Sequence, residues 1–103
     1  MSKELLIEEF ERELKLNISK MGTINYTPTT LIRMGEEFGY LDASKRLISQ
    51  REETHGFTKL LLEERVELSI EALAVKPKYR SLFTERELSY CLERLPKEFH
   101  PRD

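Results

Sequence analysis

Leu82-Phe83-Thr84-Glu85-Arg86-Glu87-Leu88-Ser89-Tyr90-Cys91-Leu92-Glu93-Arg94-Leu95 decides the fold class. Thr84 followed three residues later by Glu87 is the signature of a capping box. In it the hydroxyl accepts from a backbone N–H one turn inside the helix, and the carboxylate reaches back to the cap. Phe83 before the cap and Leu88 in the first turn add a hydrophobic staple. Leu88, Cys91, Leu92 and Leu95 recur at helical spacing, which gives the segment one apolar face. Pro96 stops it. The stretch predicts a helix over 84–95.

The same local design recurs upstream, as Tyr26-Thr27 with Leu31, Phe57-Thr58 with Leu62, and Leu68-Ser69 with Leu73. Each pairs an apolar residue, a hydroxyl cap and a leucine one turn in. These starts predict helices over 28–38, with Pro28 at the first helical position and Gly39 as its end, over 58–64, and over 69–75 ahead of Pro77. Asp42 caps a further helix over 42–51. The first helix is predicted over 3–20, capped by Ser2 and stopped at Gly22. Its stripe is Leu6, Ile7, Phe10, Leu14 and Ile18, and Leu5 and Leu16 lie off that stripe. Arg65 to Ile70 alternates like a strand, but a lone strand is not stable, so the reading is a turn into a helix. By position, Phe10, Phe38, Phe57 and Phe83 belong to the core or the staples, and Tyr40 and Tyr79 to turns. The expectation is an all-α, compact single domain over 1–103 with five or six short helices and a frayed tail over 96–103.

Composition agrees with one soluble core. Hydrophobic residues make up 39% and charged residues 35% of 103 residues, too apolar a mixture for a disordered chain. The longest unbroken apolar run, Ala72-Leu73-Ala74-Val75, is far too short to cross a membrane. Seventeen Lys and Arg against nineteen Asp and Glu leave a net charge of −2, which argues against a protein that coats nucleic acid through a strong positive field but leaves room for a small sequence reader with one local patch. Cys91 is the single cysteine, so no internal disulfide forms. Met1-Ser2-Lys3-Glu4 lacks the apolar region of a signal peptide, and the expected compartment is the cytoplasm.

Several pieces together resemble a small uncharacterised bacterial family of helical domains. They are Tyr26-x-Pro28-Thr29 with Met34, Gly39 with Ala43 and Lys45-Arg46-Leu47, Gly56-Phe57-Thr58-x-Leu60, Leu68-Ser69-x-Glu71-Ala72-Leu73 and Leu82-Phe83-Thr84-x-x-Glu87. The pattern covers about two thirds of the chain, from Tyr26 to Leu95. It departs from the family in having no Trp after the Gly-Phe-Thr piece. The resemblance implies a helical fold and brings no reaction, ligand or site.

Three functional readings are open. The leading one is a non-catalytic interaction or accessory module, with a protein partner or a second copy of the chain covering Leu5 and Leu16, because apolar groups on a second face of an amphipathic helix seek a neighbour. The alternative is a DNA binder. Residues 31–48 are similar to a helix-turn-helix, with Gly35 in the first helix, Gly39 in the turn and Met34, Phe38 and Ile48 at apolar positions. Lys45, Arg46 and Arg51 would then meet bases and phosphates. That motif places an apolar residue where Lys45 stands. A minor alternative is a metal or catalytic site around His55 with Glu52, Glu53, Glu63 and Glu64, although the spacing fits no dedicated ligand motif. Cys91, on the apolar face of the last helix, reads as a small hydrophobe. No cofactor is expected, since the glycines are scattered and form no phosphate loop. Glu71 is read at a helix start, where it favours the dipole. The other reading makes it a buried carboxylate paired with a base such as Arg80.

Overall fold

Ser2 accepts a hydrogen bond from the Leu5 N–H at 3.2 Å, and helix α1 follows over Lys3–Met21. The computed structural model describes residues 2–50 and 55–100, for His55 the backbone alone. Five more helices follow: α2 (Thr29–Phe38), α3 (Tyr40–Ile48), α4 (His55–Leu62), α5 (Ile70–Ala74) and α6 (Glu85–Arg94). Single 3₁₀ turns connect or extend them, and no strand occurs among the described residues. The segment 65–70 is a 3₁₀ turn over Val66–Leu68 leading into α5.

The core is organised around Phe10 of α1. Its ring meets Tyr79 edge-on at 5.3 Å and Phe83 at 5.5 Å between centroids, the tilted geometry that aromatic quadrupoles favour. Leu14, Ala43, Ile48, Leu73, Ala74 and Cys91 close around them. A smaller cluster of Met21, Leu60 and Leu68 ties the end of α1 to α4 and the 66–68 turn. The radius of gyration, 12.7 Å, is what one packed body of about 100 residues has.

The caps at Ser2, Ser69 and Thr84 form where the sequence places them. The Ser69 hydroxyl accepts from the Ala72 N–H at 3.1 Å. The capping box is complete, with Glu87 N–H to Thr84 Oγ1 at 3.1 Å and Thr84 N–H to Glu87 Oε1 at 2.8 Å. Three expectations are corrected. Pro28, not Thr27, occupies the N-cap of α2, and no side chain caps that helix. α4 begins at His55, so Phe57 and Thr58 lie inside it and Leu62 is left 76% exposed. α3 begins at Tyr40, which puts Asp42 in its first turn; the Leu41 N–H is instead capped by Glu11 Oε2 of α1 at 3.0 Å. The first helix stops at Met21 with Gly22 as its C-cap, as expected, and after a 3₁₀ turn over Gly22–Ile24 the chain turns at Asn25 in the left-handed region (φ 57°). There Tyr26 N–H closes on Met21 O at 3.1 Å, a Schellman-type end. Residue Glu64 (φ 59°) ends α4 in the same way, with Arg65 N–H on Leu60 O at 2.8 Å.

Aromatic positions differ as well. Tyr79 lies in a turn as expected but is fully buried, Tyr40 is buried and opens α3, and Phe38 is 41% exposed. The tail expected to fray from residue 96 forms a 3₁₀ turn over Lys97–Phe99, with Phe99 against the core. Residues 101–103 lie outside the described residues.

The α2–α3 junction depends on two glycines. Gly39 alone separates the helices, at φ 90° and ψ 149°, a conformation that side chains resist. A Cβ on Gly35 would stand 2.5 Å from the Tyr40 ring, so only glycine lets α3 fold back this closely. Gly22, by contrast, is helical with nothing within 4 Å of a built Cβ. Urea titration is expected to find Gly39→Ala destabilised by about 1–3 kcal/mol and Gly22→Ala stabilised by about 0.4–1 kcal/mol. Equal effects at the two sites would contradict this account of the junction.

Candidate interaction surface

Helical period determines what α1 offers. Residues 5 and 16 are eleven apart, close to three whole turns, so they lie on one line about 16 Å long. Leu5 is 57% and Leu16 56% exposed. Neither belongs to the buried clusters of the described residues, and the exposed Arg12 lies between them on the same line. On the opposite side Phe10, Leu14 and Met21 are buried. α1 therefore has one face in the core and a second, partly apolar face in the open.

Leu16 also lies on the edge of a groove of about 840 Å³. α1 forms one wall, the 65–80 segment the other, and Phe99 closes one side. Ion pairs lace the walls. Lys76 Nζ meets Glu13 Oε1 at 2.6 Å, Lys78 meets Glu9 at 2.9 Å, and Arg65 meets Glu67 at 2.7 Å. The Tyr79 hydroxyl donates to Glu13 Oε2 at 2.5 Å. Burial raises the Glu13 carboxyl, but hydrogen bonds from Lys76 and Tyr79 outweigh it, and the group sits below its usual range. Burial, then the bond to Glu13, pushes Tyr79 up to about 12.

The residues of the helix-turn-helix reading fall in different settings. Lys45 turns inward, where the motif wants an apolar group. Its ammonium donates to Leu82 O at 2.7 Å and Glu87 Oε1 at 2.8 Å and stands 5.1 Å from the Phe83 ring centroid. Arg46 is half-exposed, stacks 4.0 Å from the Phe38 centroid and pairs with Asp42 at 3.4 Å. Arg51 lies outside the described residues.

So do Glu52, Glu53 and the His55 side chain. Glu63 pairs with Lys59 at 2.9 Å. Among the described residues no three His, Cys, Asp or Glu side chains are grouped to hold a metal ion, and no helix is long and apolar enough to cross a membrane. Cys91 is fully buried, and burial, then the nearby Glu71, pushes its thiol up to about 12. That is the reverse of what activates a nucleophile.

Glu71 satisfies both of its readings at once, with a different partner. It stands in the first turn of α5, and its side chain is 2% exposed against Arg94 at 8%, Oε2 to Nη1 being 3.1 Å. Arg94 Nη2 also donates to Ile48 O at 2.9 Å and to Gln50 O. Arg80 is not the partner; its Nε is buried without an acceptor among the described residues. A second cavity, of about 410 Å³, lies against Glu71, between Tyr26, Leu31, Phe57 and Ile70. Sequence reading missed Arg94. The available signal was its place next to the apolar stripe, three residues after Cys91.

Two outcomes follow from these burials. Arg94→Met removes a buried guanidinium from the buried Glu71 carboxylate, and is expected to cost about 3–5 kcal/mol in urea unfolding. A loss below 1 kcal/mol would mean that the pair is solvated. Tyr79 and Cys91 keep their protons to about pH 12 when folded, against ordinary values of 10.0 and 9.0. The unfolded chain releases these protons earlier, so their contribution is complete below pH 9 and is lost as the pH rises toward 12. Thiol-reagent kinetics check the same burial, with Cys91 silent at pH 8 in the native chain and one equivalent released in denaturant. Compared with models of protein families, with curated proteins and with solved structures, the chain has no significant match.

Proposed function

We propose that the chain is a small, non-catalytic interaction module that docks a protein partner on the outward face of α1. The observation that carries this reading is the alignment of Leu5 and Leu16, both more than half exposed, along one line of the longest helix. Apolar area of that kind, held on a rigid helix, gains free energy when another surface removes it from water. The cytoplasm remains the proposed compartment. The helix-turn-helix reading has less support. On α3 the exposed Arg46 is paired with Asp42, and Lys45 is engaged with α6, which leaves little free positive charge for phosphates.

The test is photo-crosslinking from position 5 of α1 in lysate of the native cell, with and without nuclease. The expected result is a defined protein adduct that survives nuclease and disappears in the Leu16→Glu variant, which should retain the parent's circular dichroism. Sedimentation of the purified chain tells a second copy from a different protein. Adducts that vanish with nuclease would move the function to nucleic acid. A monomer with no adduct would remove the module reading.

A further inference from the structure

The groove beside Leu16 specifies more than an apolar contact. Its floor is apolar, formed by Leu68, Ala72, Val75 and Pro77 with Leu16 and Phe99 at the edges. On its walls, Glu9, Glu13 and Glu67 are matched by Lys78, Lys76 and Arg65. That leaves Arg12, Lys20 and Arg80, none in an ion pair within 4 Å among the described residues, against Glu98 alone. The groove therefore carries a net charge of about +2 on a chain whose total is −2, the sign that draws in an acidic partner.

Arg80 adds a specific demand. It is half-buried on the groove wall, and its Nε is closed off from solvent with no acceptor among the described residues. A buried charged donor without an acceptor is a defect that folds rarely keep. A carboxylate is the natural complement, because its two oxygens match two N–H groups of a guanidinium. The apolar floor requires hydrocarbon next to that carboxylate, which an acidic peptide supplies and a phosphodiester chain does not.

We infer that this groove binds an acidic segment of a partner protein, with Asp or Glu set against Arg12, Lys20 and Arg80 and neighbouring leucine-like side chains on the floor. The inference rests on the module reading, since Leu16 belongs to both surfaces.

The probe is a phage-displayed library of random 16-residue peptides selected on the full chain. The enriched sequences are expected to carry Asp or Glu within a few residues of Leu, Ile or Phe. A fluorescent synthetic copy should bind with an anisotropy change that weakens at high salt. Arg12→Glu with Lys20→Glu, both on exposed positions of α1, should lower its affinity at least tenfold. Arg80→Lys keeps the charge but removes the planar fork, and should lower affinity severalfold without unfolding the chain. Arg86→Glu makes the same charge change on the exposed side of α6 and should leave affinity unchanged. No enrichment, neutral or basic winners, or indifference to the α1 reversals overturns the inference. So does a single-stranded oligonucleotide that displaces the peptide and is itself lost in those variants. If the crosslinked partner persists while any of these occurs, the module reading stands and the groove's acidic specificity falls. If both fail, the reading itself is wrong.

Discussion

A guanidinium shut inside so small a chain must find acceptors on several sides, and Arg94 draws them from separate elements. Glu71 comes from the first turn of α5. The carbonyls of Ile48 and Gln50 come from the end of α3 and the residues just past it. Arg94 itself is the last residue of α6. The charge cannot be left uncompensated in a low dielectric, so the three helices hold one relative placement. α5 has five residues, too few to persist alone in water. Its Ser69 cap, its burial and its anchored carboxylate keep it helical. The orphan carbonyls at the end of α3, which every helix leaves, are met by the same guanidinium.

The reach of sequence reading follows the range of the interactions. Ser2, Ser69 and Thr84 cap their helices where expected because donor and acceptor are three residues apart. The all-α class follows from the same local signals and from the apolar stripes of α1 and α6. One expectation failed where a distant residue took over the local task. Glu11, thirty residues upstream, caps α3 and moves its start ahead of Asp42. Phe57 looked like a residue outside a helix, but it is buried inside α4, where a core position outweighs the turn signal of Thr58. Asn25 and Glu64 take the left-handed region after their helices, a conformation that glycine adopts more readily.

The candidate surface divides along the same boundary. Leu5 and Leu16 were visible because an apolar residue off the stripe is a matter of period alone. Both are more than half exposed. The groove was not visible, because α1 meets the 65–80 segment across more than fifty positions, and no window of sequence joins Glu13 to Lys76. Arg80 illustrates the limit. In the sequence it is a plausible counter-ion for Glu71, and in the fold Arg94 has taken that place, leaving the Arg80 Nε buried without an acceptor.

This exchange of partners bears on where the molecule meets others. A chain of net −2 has few cations to give, and those of α3 and α6 are largely engaged: Lys45 on the capping box, Arg94 on Glu71, Arg46 on Asp42 and Phe38. Their removal would be felt first as lost packing and lost caps. Arg12, Lys20 and Arg80 form no such ion pairs among the described residues. They sit where the wall of a long, rigid helix exposes leucine and where the fold has left a hydrogen-bond donor unmet. In the groove beside α1, cations without an ion pair and uncovered apolar area occur together, the two properties that make a small helical body bind another chain.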